Sequence, residues 1–105
     1  MPLIDTRTLP VRDKLPGWRG NIFHSQTMTF AHWAFDAGAV IHEHEHPQEE
    51  VWHIVEGELE VTIAGRAHRA GPGMVAIVPP DTRHSVVALT GGKAIVCDYP
   101  LRENF

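Results

Sequence analysis

Glycine and proline divide most of this sequence into short runs, and this limits the chain to a fold built from short elements. The 105 residues contain nine glycines and eight prolines. Both residue types interrupt helices, and clusters such as Gly71-Pro72-Gly73 and Pro79-Pro80 are typical of tight turns. Short runs between frequent turns favour β-strands over helices. The sequence therefore predicts an all-β fold.

The runs between these turns have the composition and periodicity of strands. Residues 26–35 are rich in Thr, Phe and Trp, and residues 58–64 alternate strictly, with Leu59, Val61 and Ile63 on one face. Residues 90–92 (Thr-Gly-Gly) predict a hairpin turn between strands at 84–89 and 93–99. About eight or nine such strands indicate a β-sandwich or a β-barrel.

Length limits the chain to one domain, because 105 residues are too few for two independent hydrophobic cores. Residues 1–20 carry three prolines and show no clear periodicity, so we predict an extended N-terminal arm, with an edge strand as one alternative. Residues 21–105 form the predicted barrel. Two sets of residues on the strand at 26–35 compete to line its interior: Met28, Phe30, His32 and Ala34, or Thr29, Ala31, Trp33 and Phe35.

Charge and hydropathy exclude several classes of partner. Thirteen acidic and nine basic residues give a formal net charge of -4, which is the wrong sign for binding nucleic acid or anionic lipid. No apolar run reaches the length of about 20 residues that a transmembrane helix needs, and the N-terminus lacks the apolar core of a signal peptide. The single cysteine, Cys97, forms no internal disulfide. We therefore expect a cytoplasmic protein that binds neither nucleic acid nor membranes.

Histidines are concentrated in one short run. The chain has eight, and His42, His44 and His46 alternate with two glutamates. Residues two apart on a strand lie on the same face, about 6.5–7 Å apart, so all three imidazoles are expected to point one way. Two adjacent imidazoles at this spacing reach one metal ion. The alternative is a solvated strand face that carries three histidines without a ligand.

The histidine run belongs to a longer pattern. From residue 38 the chain reads GAVIHEHEHPQEEVWHIVEG, and this segment resembles the first motif of the cupin family. The positions that carry the resemblance are Gly38, His44, His46, Glu50 and Gly57.

A second segment, which begins at residue 73 and reads GMVAIVPPDTRHSVVA, resembles the second cupin motif. Gly73, Pro79 and His84 match, whereas Asp81 and Ala88 replace the expected Gly and Asn. The expected Gly and Asn are not metal ligands in the family. The two motifs and their spacer cover about half of the chain.

The cupin resemblance implies a double-stranded β-helix, which is a barrel related to the jelly roll, with one metal ion bound by His44, His46, Glu50 and His84. Three neutral imidazoles and one carboxylate suit a divalent transition metal (Fe, Mn, Ni, Co, Cu or Zn) better than Ca or Mg. Four protein ligands leave two positions of an octahedral ion open, which is typical of a catalytic site.

Strand parity extends the predicted site to a substrate pocket. If Glu50 points inward, Trp52 and Ile54 do so as well, and an inward His84 brings Val86 with it. His42 is expected on the face of the ligand histidines, in contact with either a substrate or solvent. These residues predict a largely apolar pocket with a polar floor.

The C-terminal segment carries a second resemblance, to the small cupins related to the pectin-degradation proteins that ketonise unsaturated uronates. The sequence YPLRENF at residues 99–105 matches this subgroup, which implies a homodimer. Those relatives have Gln at the position of Glu50 and an acid at the position of Val96. Asp98, two residues further along the strand, is the candidate to replace that acid, and Arg102 is the candidate partner of a substrate carboxylate.

Three functions follow as alternatives. The first is a metal-dependent enzyme that acts on a small oxygen-rich substrate such as a sugar acid, either as an isomerase of the ketonising type or as a dioxygenase. The second is a non-enzymatic module that binds a sugar or a metal. The third is a barrel that retains a metal without turnover.

Overall fold

The structure is a computed structural model that describes residues 3–103 and 105. Met1 and Pro2 of the predicted arm, and Asn104 of the tail motif, lie outside the described residues. A single 3-10 turn at Thr6–Thr8 precedes the strands. The strands are β1 (Arg12–Leu15), β2 (Trp18–His24), β3 (Thr29–Phe35), β4 (Val40–His44), β5 (Glu49–Glu56), β6 (Leu59–Ile63), β7 (Arg66–Ala70), β8 (Val75–Val78), β9 (His84–Ala88) and β10 (Gly92–Tyr99). The all-β prediction is confirmed.

The strands form two antiparallel sheets that enclose one core. Six strands pair in the order β1-β2-β3-β10-β5-β8, and four pair in the order β4-β9-β6-β7. Buried side chains of both sheets belong to one apolar cluster, with Trp52 and Ile54 on β5 and Leu59 and Val61 on β6. This packing of two inward faces gives the predicted jelly-roll barrel. Within the described residues, no helix is long and apolar enough to cross a membrane.

Alternating burial on β3 decides between the two sets of inward residues. Thr29, Ala31, Trp33 and Phe35 are buried, and the residues between them are only partly covered. On β6, Leu59 and Val61 are fully buried, as their alternation predicts.

The predicted N-terminal arm takes part in the sheet. β1 is an edge strand that pairs with β2. β2 begins at Trp18, whose side chain lies in the core and is 1% exposed. The predicted domain boundary after residue 20 therefore falls inside β2. The register pairs Leu15 with Trp18, so this hairpin brings residues of the arm against the barrel.

The predicted hairpin at residues 90–92 is wrong. β9 pairs with β4 and β6 in the four-stranded sheet, whereas β10 pairs with β3 and β5 in the other sheet. The Thr-Gly-Gly turn therefore carries the chain from one sheet to the other. Local turn chemistry is compatible with either connection, and the long-range partners of β10 decide between them.

Candidate metal centre

A β-bulge in β4 determines which histidines point into the barrel. Ile41 pairs with Val86 and His44 pairs with His84, so three residue steps on β4 correspond to two on β9. The extra residue shifts the alternation, and Ile41 and His44 both lie on the inner side although they are three positions apart. His42 falls within the bulge and is exposed. The prediction that His42 shares a face with His44 is therefore wrong.

Three imidazoles converge where β4, the loop after it and β9 meet. The ring centroid of His44 lies 4.2 Å from that of His84 and 5.6 Å from that of His46, and His46 and His84 are 4.9 Å apart. One ligand nitrogen from each residue lies within 4.8 Å of the others. This spacing is compatible with three ligands of one ion.

Backbone carbonyls fix the orientation of all three rings. Nδ1 of His44 donates to the carbonyl of His42 (2.8 Å), Nδ1 of His46 to that of Gln48 (3.0 Å), and Nδ1 of His84 to that of Thr82 (2.8 Å). Each Nδ1 therefore carries the proton, and each Nε2 is left to bind a metal.

An unpartnered nitrogen shows that these residues fit a metal ion. His84 is 1% exposed, and its Nε2 has no hydrogen-bond partner among the described residues. An unsatisfied buried polar atom costs free energy, and a metal ion at the convergence of the rings removes that cost. Burial also lowers the pKa of His84, which keeps the imidazole in the neutral form that coordinates.

Glu50 on β5 adds a buried carboxylate to the three rings. Its Oε2 lies 2.8 Å from His46 Nε2, and its Oε1 accepts the indole N–H of Trp52 and lies 3.8 Å from His84 Nε2. Burial acts to raise the pKa of Glu50, but hydrogen bonds with His46 and other neighbours outweigh it and bring the pKa to about 2. The same hydrogen bond raises the pKa of His46. The carboxylate and the imidazole therefore favour each other's charged forms across this contact.

Asp98 and Arg102 stand beside this carboxylate. Arg102 Nη1 lies 3.4 Å from Glu50 Oε2 and 3.3 Å from Asp98 Oδ2. Asp98 is fully buried, and burial together with the negative charge of Glu50 raises its pKa to about 7. His46, Glu50 and Asp98 form a second possible ligand group, but the guanidinium beside it repels a cation. The three imidazoles with Glu50 are the better ligand set.

An aromatic cavity opens onto this cluster. His44 and Glu50 line it at the ligand end with Arg102, and Lys14, Leu15 and Trp18 of the β1–β2 hairpin also line it. Its remaining walls are Trp33, Ile41, Trp52 and Phe105. The cavity gives a small molecule a route to the ligand atoms.

The predicted pocket residues occupy different places. Trp52 lines the cavity. Ile54 and Val86 do not line it, because their side chains lie in the core and are 0% and 1% exposed. His42 does not line the cavity, because the bulge moves it to the surface. Asp98 lies behind the wall that Glu50 and Arg102 form.

Five cavity residues were missed from the sequence: Lys14, Leu15, Trp18, Ile41 and Phe105. A further cavity residue, Trp33, belonged to one of the two alternative sets on β3. The parity of β3, once known, is the signal that identifies Trp33. Lys14 and Trp18 come from a segment without periodicity, and only the pairing of β1 with β2 places them at the cavity.

The two-sheet β-barrel, its internal cluster of histidines and glutamate, and the cavity above that cluster are together typical of small barrel proteins with a candidate metal site. The chain belongs to the cupin-domain family, whose pattern matches residues 31–98. This match spans both motifs and the strands that hold the four candidate ligands. No curated protein gives a significant match.

Solved structures resemble the whole chain. An RmlC-like cupin from Shewanella frigidimarina is 27% identical with a TM-score of 0.92, and the similarity covers 100% of this chain and 96% of that one. KdgF from a Halomonas species is 27% identical with a TM-score of 0.88, covering 97% and 96%. Oxalate decarboxylase from Bacillus subtilis, at 20% identity and TM-score 0.83, shares the fold, with 96% of this chain matching 30% of that one.

Proposed function

We propose that the protein is a metal-dependent enzyme that acts on a small oxygen-rich substrate, as an isomerase of the type that ketonises a carboxylated sugar. The observation that carries the proposal is the convergence of three imidazoles at an accessible cavity, with the Glu50 carboxylate beside His46 and His84. A purely structural metal site is closed by protein ligands and does not open onto a cavity. The tail resemblance to uronate-ketonising cupins and the near full-length similarity to KdgF support the substrate class.

His44, His46, Glu50 and His84 would hold one divalent transition metal. When bound, such a metal supplies Lewis-acid polarisation of a substrate oxygen. The backbone carbonyls that anchor the three rings orient the ligands before the metal arrives. The aromatic walls exclude water from the substrate and offer flat surfaces to a sugar ring.

Arg102 and Asp98 support the carboxylate ligand from behind. Arg102 is a counter-ion to Glu50, and Asp98 holds Arg102 through Nη1. Because Asp98 lies behind the cavity wall, we propose that it acts through Arg102 and Glu50 as a positioning residue. Asp98→Asn is then expected to shift the pH profile of turnover while leaving metal content close to that of the wild type.

The proposal is tested with protein purified without tag or chelator. Elemental analysis identifies the metal, and incubation with an unsaturated uronate should remove the ultraviolet absorbance of its double bond. His84→Ala should abolish turnover, whereas Arg12→Gln on the exposed edge strand should not. Turnover that survives complete removal of metal contradicts the proposal, and dioxygen uptake without ketonisation identifies the dioxygenase alternative.

We also propose that the protein is a cytoplasmic homodimer that associates through the outer face of the six-stranded sheet. Pairing places Ile77, Val51 and Cys97 in one row across β8, β5 and β10, and Val75, His53 and Ile95 in the next row. Ile77 is 58% exposed and Val75 is 51% exposed. Two adjacent rows that are mainly apolar and partly exposed are typical of an interface.

Light scattering on a sizing column tests the dimer, and Ile77→Asp should shift it to a monomer. Val40→Asp, at an exposed apolar position of the other sheet, is the matched control. A monomeric wild type at high protein concentration contradicts this assignment.

A further inference from the structure

Lys14 is a positive charge at the cavity, and it forms no ion pair with the residues that the structure describes. It lies on β1 and lines the cavity together with Leu15 and Trp18. The ion pairs among the described residues use five arginines and two histidines: Arg7, Arg19, Arg69, Arg83, Arg102, His46 and His84. Lys14 is not among them, so its ammonium is available to an incoming ligand.

Arg102, the residue predicted from the sequence to bind a substrate carboxylate, is already engaged. Its Nη1 lies 3.4 Å from Glu50 and 3.3 Å from Asp98, and its guanidinium stacks over the Phe105 ring at 4.7 Å. Glu50 and Asp98 are 3% and 0% exposed. Moving the guanidinium toward a ligand leaves two buried carboxylates with less compensation, which is costly.

The remaining walls offer few polar partners to a charged ligand. Three indoles and the Phe105 ring dominate the cavity surface. The indole N–H of Trp52 already donates to Glu50, and that of Trp18 has no partner among the described residues. A neutral N–H donor does not compensate the charge of a carboxylate that leaves water. A carboxylate that enters such a cavity therefore requires a cation. The lysine side chain suits this need, because its long apolar stem packs against aromatic surface while the ammonium reaches the anion.

We propose that Lys14 is a substrate-binding residue whose ammonium binds a carboxylate of the ligand, while Arg102 positions Glu50 and Asp98. The expectation that the ligand carries a carboxylate rests on the proposed function. The inference that Lys14 of the β1–β2 hairpin binds this carboxylate does not depend on the metal. The hairpin then determines specificity by selecting anionic ligands over neutral ones of the same shape.

Intrinsic fluorescence reports binding directly, because all three tryptophans of the chain line this cavity. Two pairs of probes are titrated: galacturonate against galactose, and cyclohexanecarboxylate against cyclohexylmethanol. The proteins are the wild type, Lys14→Gln, Arg102→Lys and the control Arg12→Gln, which changes an exposed residue of the same strand away from the cavity. Metal content and melting temperature are measured on the same samples.

A hydrogen-bonded pair between the Lys14 ammonium and the ligand carboxylate should strengthen binding. We therefore expect the wild type and Arg12→Gln to bind each carboxylate about 10- to 100-fold more tightly than its neutral counterpart. Lys14→Gln should lose this preference at unchanged metal content, and Arg102→Lys should keep most of it. Retention of the preference by Lys14→Gln, or a wild type without preference for either carboxylate, overturns the proposal. If cyclohexanecarboxylate binds in a Lys14-dependent way and galacturonate does not bind, the role of Lys14 is upheld and the sugar-acid assignment is contradicted. The metal measurement tests the metal site separately.

Discussion

Removal of His84 provides the sharpest test of the metal centre. The imidazole is 1% exposed, and its only hydrogen bond within the described residues joins Nδ1 to the Thr82 carbonyl. His84→Ala loses that bond, which is worth about 1 kcal/mol, but it also removes the unpartnered Nε2, whose burial costs about 1–3 kcal/mol. The metal-free variant should therefore be close in stability to the metal-free wild type.

The metal-loaded proteins should differ strongly. A metal present at 100 times its dissociation constant stabilises the wild type by about 2.7 kcal/mol, or roughly 10–20 °C in melting temperature for a domain of this size. Substitutions outside the ligand shell already weaken metal binding by about 10- to 100-fold, so loss of a ligand should cost at least about 100-fold. At the same metal concentration the variant then gains only about 0.4 kcal/mol.

Thermal denaturation with and without added Mn²⁺, Ni²⁺ or Zn²⁺, combined with elemental analysis, measures both effects. His68→Ala is the matched control, because His68 is exposed on β7 of the other sheet. An equal metal-induced shift in His84→Ala and in the wild type refutes the ligand role of His84. Full occupancy in a His44→Ala, His84→Ala double variant refutes the site itself.

Two further predictions concern pH and backbone conformation. Metal occupancy in the presence of a competing chelator should fall as the pH drops below about 6.5, because the imidazoles must be neutral to coordinate. Occupancy unchanged near pH 4 contradicts the ligand set. Gly57→Ala should lower the free energy of unfolding by at least about 2 kcal/mol, since φ is +79° and a Cβ would meet the Gly91 carbonyl. Gly65 has the same φ but open space around it, so Gly65→Ala should lower the free energy of unfolding by only about 1 kcal/mol. Urea denaturation checks this pair, and equal losses would show that the contact is unimportant.

The sequence was most informative where local periodicity and tertiary burial agree. The alternation of Leu59 and Val61 predicted their burial because β6 pairs with both of its neighbours without a register shift, whereas Ile63 at the end of the strand is only partly buried. The same argument failed at His42, because a bulge inserts one residue into β4 and no local signal marks where a ladder slips.

Long-range pairing accounts for the other differences. Residues 90–92 have the composition of a hairpin turn, but β10 pairs with β3 and β5 in the opposite sheet. Lys14 and Trp18 reach the cavity only because β1 and β2 fold back along the barrel edge. No short-range pattern in an aperiodic, proline-rich segment predicts such a contact.

The carbonyl anchors of the three imidazoles bear on how this centre tolerates evolutionary change. The groups that orient the rings belong to the main chain of His42, Gln48 and Thr82 and not to their side chains. Substituting any of these three residues therefore leaves the acceptor in place as long as the backbone path is kept. Sequence drift around the centre is thus expected to alter the cavity and its ligand preference well before it alters the capacity to hold a metal.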